Sequence, residues 1–312
     1  MNKRLLVVGG TGFIGSHVVR KAIKEGYDVT AISKNECDLS KKVKGVEYLK
    51  IDIANKKELL NELKNKHYEF VINLGGYVDH SDMSKGGIEI INTHYHGVIN
   101  LINCLNKSKL KMFIQIGSSD EYGSNEAPQK ETQREIPISP YSLAKTLVTH
   151  YLQMMYRLEK FPVVILRPFL VYGIGQDENR FIPQLIKGCI NKISTPVSLG
   201  EQLRDFCYID DIVEVILLTL NSKKACGEVF NIGSGIPVSI KFVVNKILTL
   251  IGSGSADFGA IKYRPFENMS LYADTSKIFK FLGWQAKVDL DKGLIMTIDY
   301  FLNSTDGKNP PS

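Results

Sequence analysis

Nothing in this sequence suggests a disulfide or metal scaffold. The five cysteines, Cys37, Cys104, Cys189, Cys207 and Cys226, are scattered and odd in number. No pair of them has the spacing of metal ligands, so no bound metal is expected. Their scatter fits a reducing cytoplasm. Long hydrophobic runs are lacking too. Residues 5–8 are the only apolar run before Gly9, too short for a secretory signal. The longest later run, around 215–218, is far below the ~20 residues of a membrane span. A soluble, cytoplasmic protein with no membrane partner is therefore expected. A dense Lys/Arg tract is also missing, which argues against a nucleic-acid partner. Lys41, Lys42 and Lys44 form only a small cluster, read as a solvated loop. No internal repeat interrupts the chain, and low complexity is confined to a Gly/Ser stretch at 252–255.

What is present is an ordinary globular composition. Of 312 residues, 44% are hydrophobic and 23% charged, enough to bury a core without disulfides. The net charge of +6, from 39 basic and 33 acidic residues, reads as a mildly basic surface or as attraction for anionic substrates such as diphosphates. Apolar runs at 5–8, 29–33, 46–51, 70–74, 112–116 and 163–166 alternate with helical patterns at 14–25, 56–64 and 88–105. Strands that are apolar throughout and separated by helices predict a parallel sheet covered on both faces. Right-handed crossovers make it α/β and doubly wound, a Rossmann fold. After about residue 175 strand-like runs thin out and Gly and Pro increase. Residues 1–175 are expected to bind a dinucleotide, with a returning segment near 206–232. Residues 176–312 are expected to form a smaller C-terminal substrate lobe.

The first strand runs into Gly9-Gly10-Thr11-Gly12-Phe13-Ile14-Gly15. Such glycines allow a tight turn and a close approach to a pyrophosphate, and the following helix offers free N–H groups and its positive dipole end. Gly9, Gly12, Phe13, Ile14 and Gly15 are the expected phosphate cradle. An acidic residue ending the second strand would hold the ribose 2′-hydroxyl of NAD. Here Ser33 stands there and Lys34 follows. A hydroxyl and an ammonium accept a 2′-phosphate that a carboxylate would repel, so NADP(H) is expected over NAD(H). Alternatively Lys34 points to solvent and Asp38 discriminates. Asp52, with Ile53 beside it, follows the third strand and is placed to contact adenine, or to cap the next helix.

Tyr141 and Lys145 form Tyr-x-x-x-Lys, which a helix puts on one face, and Pro140 suits a helix start. A lysine ammonium near a tyrosine is expected to lower its pKa from ~10. The pair could then move the proton of a sugar hydroxyl or ketone while hydride moves elsewhere, although surface pairing alone would give the same spacing. The fifth strand ends in Ile116-Gly117-Ser118-Ser119-Asp120-Glu121-Tyr122-Gly123. Ser118 or Ser119 could bond the reacting oxygen. Asp120 and Glu121 are candidate acid–base groups, or a solvated turn.

Taken together these motifs resemble the extended short-chain dehydrogenases/reductases, the NAD-dependent epimerase/dehydratase family that acts on nucleotide sugars. The resemblance covers nearly the whole chain. It adds Asn73-Leu74-Gly75-Gly76-Tyr77-Val78-Asp79-His80-Ser81, similar to the family's cofactor-covering loop, and Asn92. It further includes residues 166–173 and 201–211. It implies that Leu74, Gly75 and Gly76 contact the dinucleotide, that Tyr141 is the acid–base, that Lys145 also holds the nicotinamide ribose, and that Ser118 rather than Ser119 completes the triad. Arg204 would bind the nucleotide diphosphate, a role suited to a guanidinium, and Arg264 would add a second contact or lie on the surface. The family also implies a homodimer paired through helices 88–105 and 141–157. Leu170 departs from the pattern where many members place a phosphate-binding Asn. Anchored on Tyr122, the Asp-Glu pair of common 4,6-dehydratases falls on Ser119 and Asp120, so their acid–base pair is only half present.

The Ser-Ser-Asp-Glu-Tyr-Gly form, with residues 258–264 and Glu267-Asn268-Met269, is similar to reductases of 4-keto-6-deoxy sugar nucleotides such as CDP-abequose and CDP-paratose synthases. The expected function is reduction of such a sugar at C4 on a nucleotide-diphosphate carrier. A 4-epimerase is the alternative, followed by a 4,6-dehydratase and then by a non-catalytic dinucleotide-binding module on the same fold.

Overall fold

A computed structural model describes residues 3–79, 81 and 83–305 of the chain. Its first six strands are β1 (Arg4–Val8), β2 (Asp28–Ser33), β3 (Glu47–Lys50), β4 (Phe70–Asn73), β5 (Met112–Ile116) and β6 (Val163–Pro168). β7 (Leu170–Tyr172), β8 (Ser194–Val197) and β9 (Leu203–Tyr208) leave the main sheet, and β10 (Val229–Ile232) returns to it. The seven parallel strands lie in the order β10-β6-β5-β4-β1-β2-β3. This is the doubly wound sheet that the alternating apolar runs predict. The strand order reverses between β1 and β4, and in such sheets ligands bind beyond the carboxyl ends at that point.

Both faces of the sheet are buried because the strands carry apolar residues at successive positions. Leu5, Val7, Val29, Ala31, Ile72 and Ile114 join one core with Val18 and Val19 of helix α1 (Phe13–Lys24). Leu6, Val8, Val71, Phe113 and Ile165 join the other. That second core takes in α2 (Lys56–Leu63), α4 (Gly97–Cys104), which follows the short α3 (Gly87–Ile91), and α5 (Pro140–Glu159). After α6 (Phe181–Ile190), α7 (Ile209–Leu220) packs beside α1 on the first face.

Two differences from the sequence reading have local causes. The pattern over 88–105 is not one α-helix, since Asn92–His96 form a π turn between α3 and α4. The region after 175 holds more strands than its pattern suggests. β11 (Pro237–Ser239) and β13 (Ser270–Leu271) flank β9, while β12 (Ser255–Phe258) pairs with β8. Runs of two to four residues are too short to show a periodicity of two. α8 (Ile240–Ile251), α9 (Ser276–Leu282) and α10 (Leu290–Thr305) complete the chain.

Candidate active site

β1 ends at Val8 and the chain turns at Gly9, whose φ is +76°, a conformation that favours glycine. A Cβ at Gly9 would stand 2.9 Å from the carbonyl oxygen of Leu74, and one at Gly15 would collide with the carbonyl of Gly9. The turn therefore packs tightly against the loop after β4. α1 starts at Phe13 with Gly12 before it and no side-chain cap, which leaves its first N–H groups to an incoming anion. Leu74 and Gly75 lie directly beyond β4, where Asn73 accepts the Gly75 N–H at 3.0 Å and donates to Gln115 at 2.8 Å. A Cβ at Gly75 would crowd Ile53, which is buried.

At the end of β2 the Ser33 hydroxyl accepts the Thr11 N–H at 3.2 Å, so it ties the glycine turn to the strand. Lys34 is exposed, as the alternative reading has it, and it also carries a surface ion pair. Its Nζ is 3.3 Å from the Asp52 carboxylate. Asp52 also accepts the Ala54 N–H at 2.9 Å, but Asn55, not Asp52, caps α2. Asp38 accepts the Ser40 amide and hydroxyl at the start of a short turn, and these bonds hold its carboxyl below the usual range.

α5 carries Tyr141 and Lys145 on its buried face. Ser139 caps the helix and Pro140 occupies its first turn. Ser118 begins the turn after β5, accepts the Asp120 N–H at 3.1 Å and lies close enough to Tyr141 for its hydroxyl to favour the phenolate. Lys145 donates to the Ile116 carbonyl at 2.9 Å, and its Nζ is 5.7 Å from the centre of the Tyr141 ring. Burial lowers the Lys145 pKa to about 8, with Glu121 and Asp120 opposing. The expected lowering of the Tyr141 pKa is not found. Burial raises it, and the Asp120 charge raises it further, against the Ser118 hydrogen bond. The low local dielectric penalises phenolate, and Lys145 is turned to a backbone carbonyl instead of the phenol oxygen. Tyr141 is therefore a protonated donor.

Asp120 lies where its charge acts on Tyr141, Lys145 and Arg204. Ser119 is buried beside it. Glu121 points the other way, into the protein. Its carboxylate accepts from the Ser118 N–H at 2.9 Å, the Thr149 hydroxyl at 2.8 Å, and Arg167 Nε and Nη2 at 3.0 and 2.7 Å. As an acid–base candidate Glu121 gives way to a role in holding the Ser118 turn.

Arg204 is buried near Asp120, and its Nη2 is bonded to Glu267. Arg264 is exposed in the loop between β12 and β13, close enough for its charge to act on Arg204. Arg180, which the sequence did not single out, starts α6 and acts electrostatically on Tyr141. Leu170 is partly buried in β7. Asn92, part of the family resemblance, is exposed at the start of the π turn. Two residues later His94 is buried, with its ring 5.1 Å from that of Tyr141. No spacing in the sequence marked it, because a π turn shifts which side chain faces inward. His80 of the loop lies outside the described residues. Among the described residues no group of His, Cys, Asp or Glu could hold a metal ion, and no helix is long and apolar enough to cross a membrane.

Comparison with known proteins places these features in one family. The profile described as NAD dependent epimerase/dehydratase family matches residues 5–233. A putative UDP-glucose 4-epimerase of Methanocaldococcus jannaschii is 29% identical, covering 96% of this chain and 99% of that one. The dTDP-D-glucose 4,6-dehydratase of Mus musculus is 27% identical over 96% of this chain and 88% of its own. The crystal structure of UDP-glucuronic acid 4-epimerase from Bacillus cereus, in complex with UDP-glucuronic acid and NAD, superposes with a TM-score of 0.88. It is 28% identical and covers 96% of this chain and 99% of its own. The residues present fit a nicotinamide dinucleotide: a glycine turn without room for side chains faces the uncapped end of α1, and a Tyr–Lys–Ser set stands across the same sheet edge.

Proposed function

Because the chain belongs to the NAD dependent epimerase/dehydratase family, we propose that it reduces a 4-keto-6-deoxy sugar at C4 on a nucleotide-diphosphate carrier. The observation that carries this is Tyr141, a buried phenol kept protonated beside Ser118 and on the same helix face as Lys145. Reducing a carbonyl takes one hydride and one proton. A bound reduced dinucleotide supplies the hydride. Tyr141 gives its proton to the C4 oxygen, and Ser118 orients that oxygen by a hydrogen bond. Lys145, fixed by the Ile116 carbonyl, holds the nicotinamide ribose. Glu121, committed to Arg167 and the Ser118 turn, is not free for the second proton transfer that a dehydratase needs. Arg204 and Arg264 take the diphosphate when Glu267 yields its place on Arg204.

In this reading residues 1–175, with the segment near 206–232, hold the dinucleotide, and 176–312 hold the nucleotide sugar. NADPH is the proposed reductant, since Ser33 leaves no carboxylate at the end of β2 to repel a 2′-phosphate. A titration in which NAD binds as tightly as NADP would overturn that preference. Leu143, Leu147, Met154 and Leu158 leave one face of α5 exposed and apolar, with Ile88 nearby on α3. We propose a homodimer through this face, and a monomer mass by light scattering would refute it.

The test is oxidation of NADPH on addition of CDP-, GDP- or dTDP-linked 4-keto-6-deoxy sugars. Tyr141→Phe should lower turnover by about 10²–10⁴-fold, the worth of a general acid, with dinucleotide affinity kept. Retained turnover sinks the assignment. A second reading, 4-epimerisation, is favoured by the Methanocaldococcus relative and by the NAD-bound Bacillus epimerase. Stoichiometric NAD retained through purification, with interconversion of C4 epimers, would select it.

A further inference from the structure

One buried imidazole links the loop after β4 to the acid–base helix. His94 is 3% exposed, and its Nε2 lies 2.9 Å from the carbonyl oxygen of Tyr77. A carbonyl oxygen only accepts, so Nε2 carries the proton. Burial, with the nearby Lys145 charge adding to it, lowers the imidazole pKa to about 3. The ring is therefore neutral under working conditions, and Nδ1 presents a lone pair. That nitrogen is buried and has no partner among the described residues.

The surroundings of the ring say where the missing donor comes from. On one side it meets Tyr141 edge-on, with centroids 5.1 Å apart. On another it packs against Gly76, whose φ is +114° and where a Cβ would come within 2.5 Å of Nδ1. The lone pair thus sits where the loop after β4 and the Tyr141–Lys145 pair converge. An unpaired buried acceptor destabilises a fold, and a phenylalanine would fill the same volume without one.

We propose that His94 is a positioning residue of the dinucleotide site whose Nδ1 accepts a hydrogen bond from a hydroxyl of the nicotinamide ribose, so that the open acceptor is satisfied only in the complex. The inference rests on the reading above, in which Lys145 marks the ribose and Tyr141 the reacting end.

Three substitutions separate the functions of the ring. His94→Asn keeps an acceptor near Nδ1 but cannot reach Tyr77. His94→Gln reaches Tyr77 and loses the Nδ1 acceptor. His94→Phe keeps only the ring. Dinucleotide dissociation constants are measured by calorimetry on the full chain, with thermal unfolding before dinucleotide is added. Gln and Phe should weaken binding about tenfold, one hydrogen bond's worth, and Asn by less than about threefold. His94→Phe should unfold no more than about one hydrogen bond's worth earlier than the parent without dinucleotide, the cost of the lost Tyr77 bond. The loss in His94→Phe should persist with the 3-acetylpyridine analogue of the dinucleotide, which lacks the carboxamide N–H. Parent-like affinity in Gln and Phe overturns the proposal. So does a loss in Asn equal to that in Phe, a Phe variant that unfolds earlier by clearly more than the Tyr77 bond is worth, or a loss that vanishes with the analogue. Tyr141→Phe is assayed alongside. If it retains turnover, the active-site reading itself fails. If it is inactive while the His94 variants bind like the parent, only the role of His94 fails.

Discussion

Replacing Glu121 with glutamine should cost this protein a large part of its stability. The Glu121 and Arg167 side chains are both fully buried, and Arg167 also donates to Glu135 at 2.6 Å. Four donors converge on the Glu121 carboxylate: the Ser118 N–H, the Thr149 hydroxyl and two nitrogens of Arg167. A glutamine amide has one oxygen and one NH2, so either the Ser118 amide or the guanidinium and Thr149 would face a donor. Arg167 would keep only Glu135 as a counter-charge. Breaking a buried pair from one side costs about 3–5 kcal/mol, a fifth or more of a typical total of about 5–15 kcal/mol. For a chain of this size that is a fall of about 5–8 °C in Tm. Circular dichroism melts and urea titrations read it directly. Glu121→Leu combined with Arg167→Met should be more stable than Arg167→Met alone, because that single change strands two carboxylates, Glu121 and Glu135, whereas the double change strands only Glu135, which His150 still faces. A Glu121→Gln variant within about 1 kcal/mol of the parent would refute the argument. If that variant were stable yet inactive, Glu121 would be an acid–base group after all.

The same residue shows where sequence reading stops. The main sheet was legible because parallel strands buried on both faces are apolar at successive positions, as in residues 5–8 and 163–166, and that signal is local. The glycine turn and the Tyr141–Lys145 spacing were legible for the same reason, each being a short-range pattern with a geometric cause. Glu121 was not, since its direction depends on Arg167, 46 residues away in the chain. The Tyr141 pKa was misjudged because four-residue spacing places Lys145 nearby but does not reveal burial or the carbonyl of Ile116 that takes its ammonium. His94 is not legible because the π turn is invisible to a 3.6-residue period. The Lys34–Asp52 pair joins the ends of two strands that become neighbours only in the folded sheet.

Gly15→Ala should abolish measurable dinucleotide binding, since its Cβ would collide with the Gly9 carbonyl and push the turn open. Affinity within about threefold of the parent by calorimetry, less than half of one hydrogen bond's worth, would show that the turn can give way there. The last expectation concerns pH. Lys145 titrates at about 8 in the folded protein, below its ordinary 10.5, because burial disfavours the ammonium more than Glu121 and Asp120 favour it. Its charge is therefore present below that value and lost as pH rises through it. Turnover that depends on the ammonium should fall on the alkaline side with a one-proton slope centred near 8. Tyr141 cannot produce that limb, because its pKa is displaced upward. Lys145→Arg should lower the plateau, as a planar guanidinium does not reproduce the bond to Ile116, but it should remove the limb, because arginine stays charged up to a pKa of about 12 or more. A limb that stays near 8 in the arginine variant would assign the titration to another group and break the link between Lys145 and catalysis.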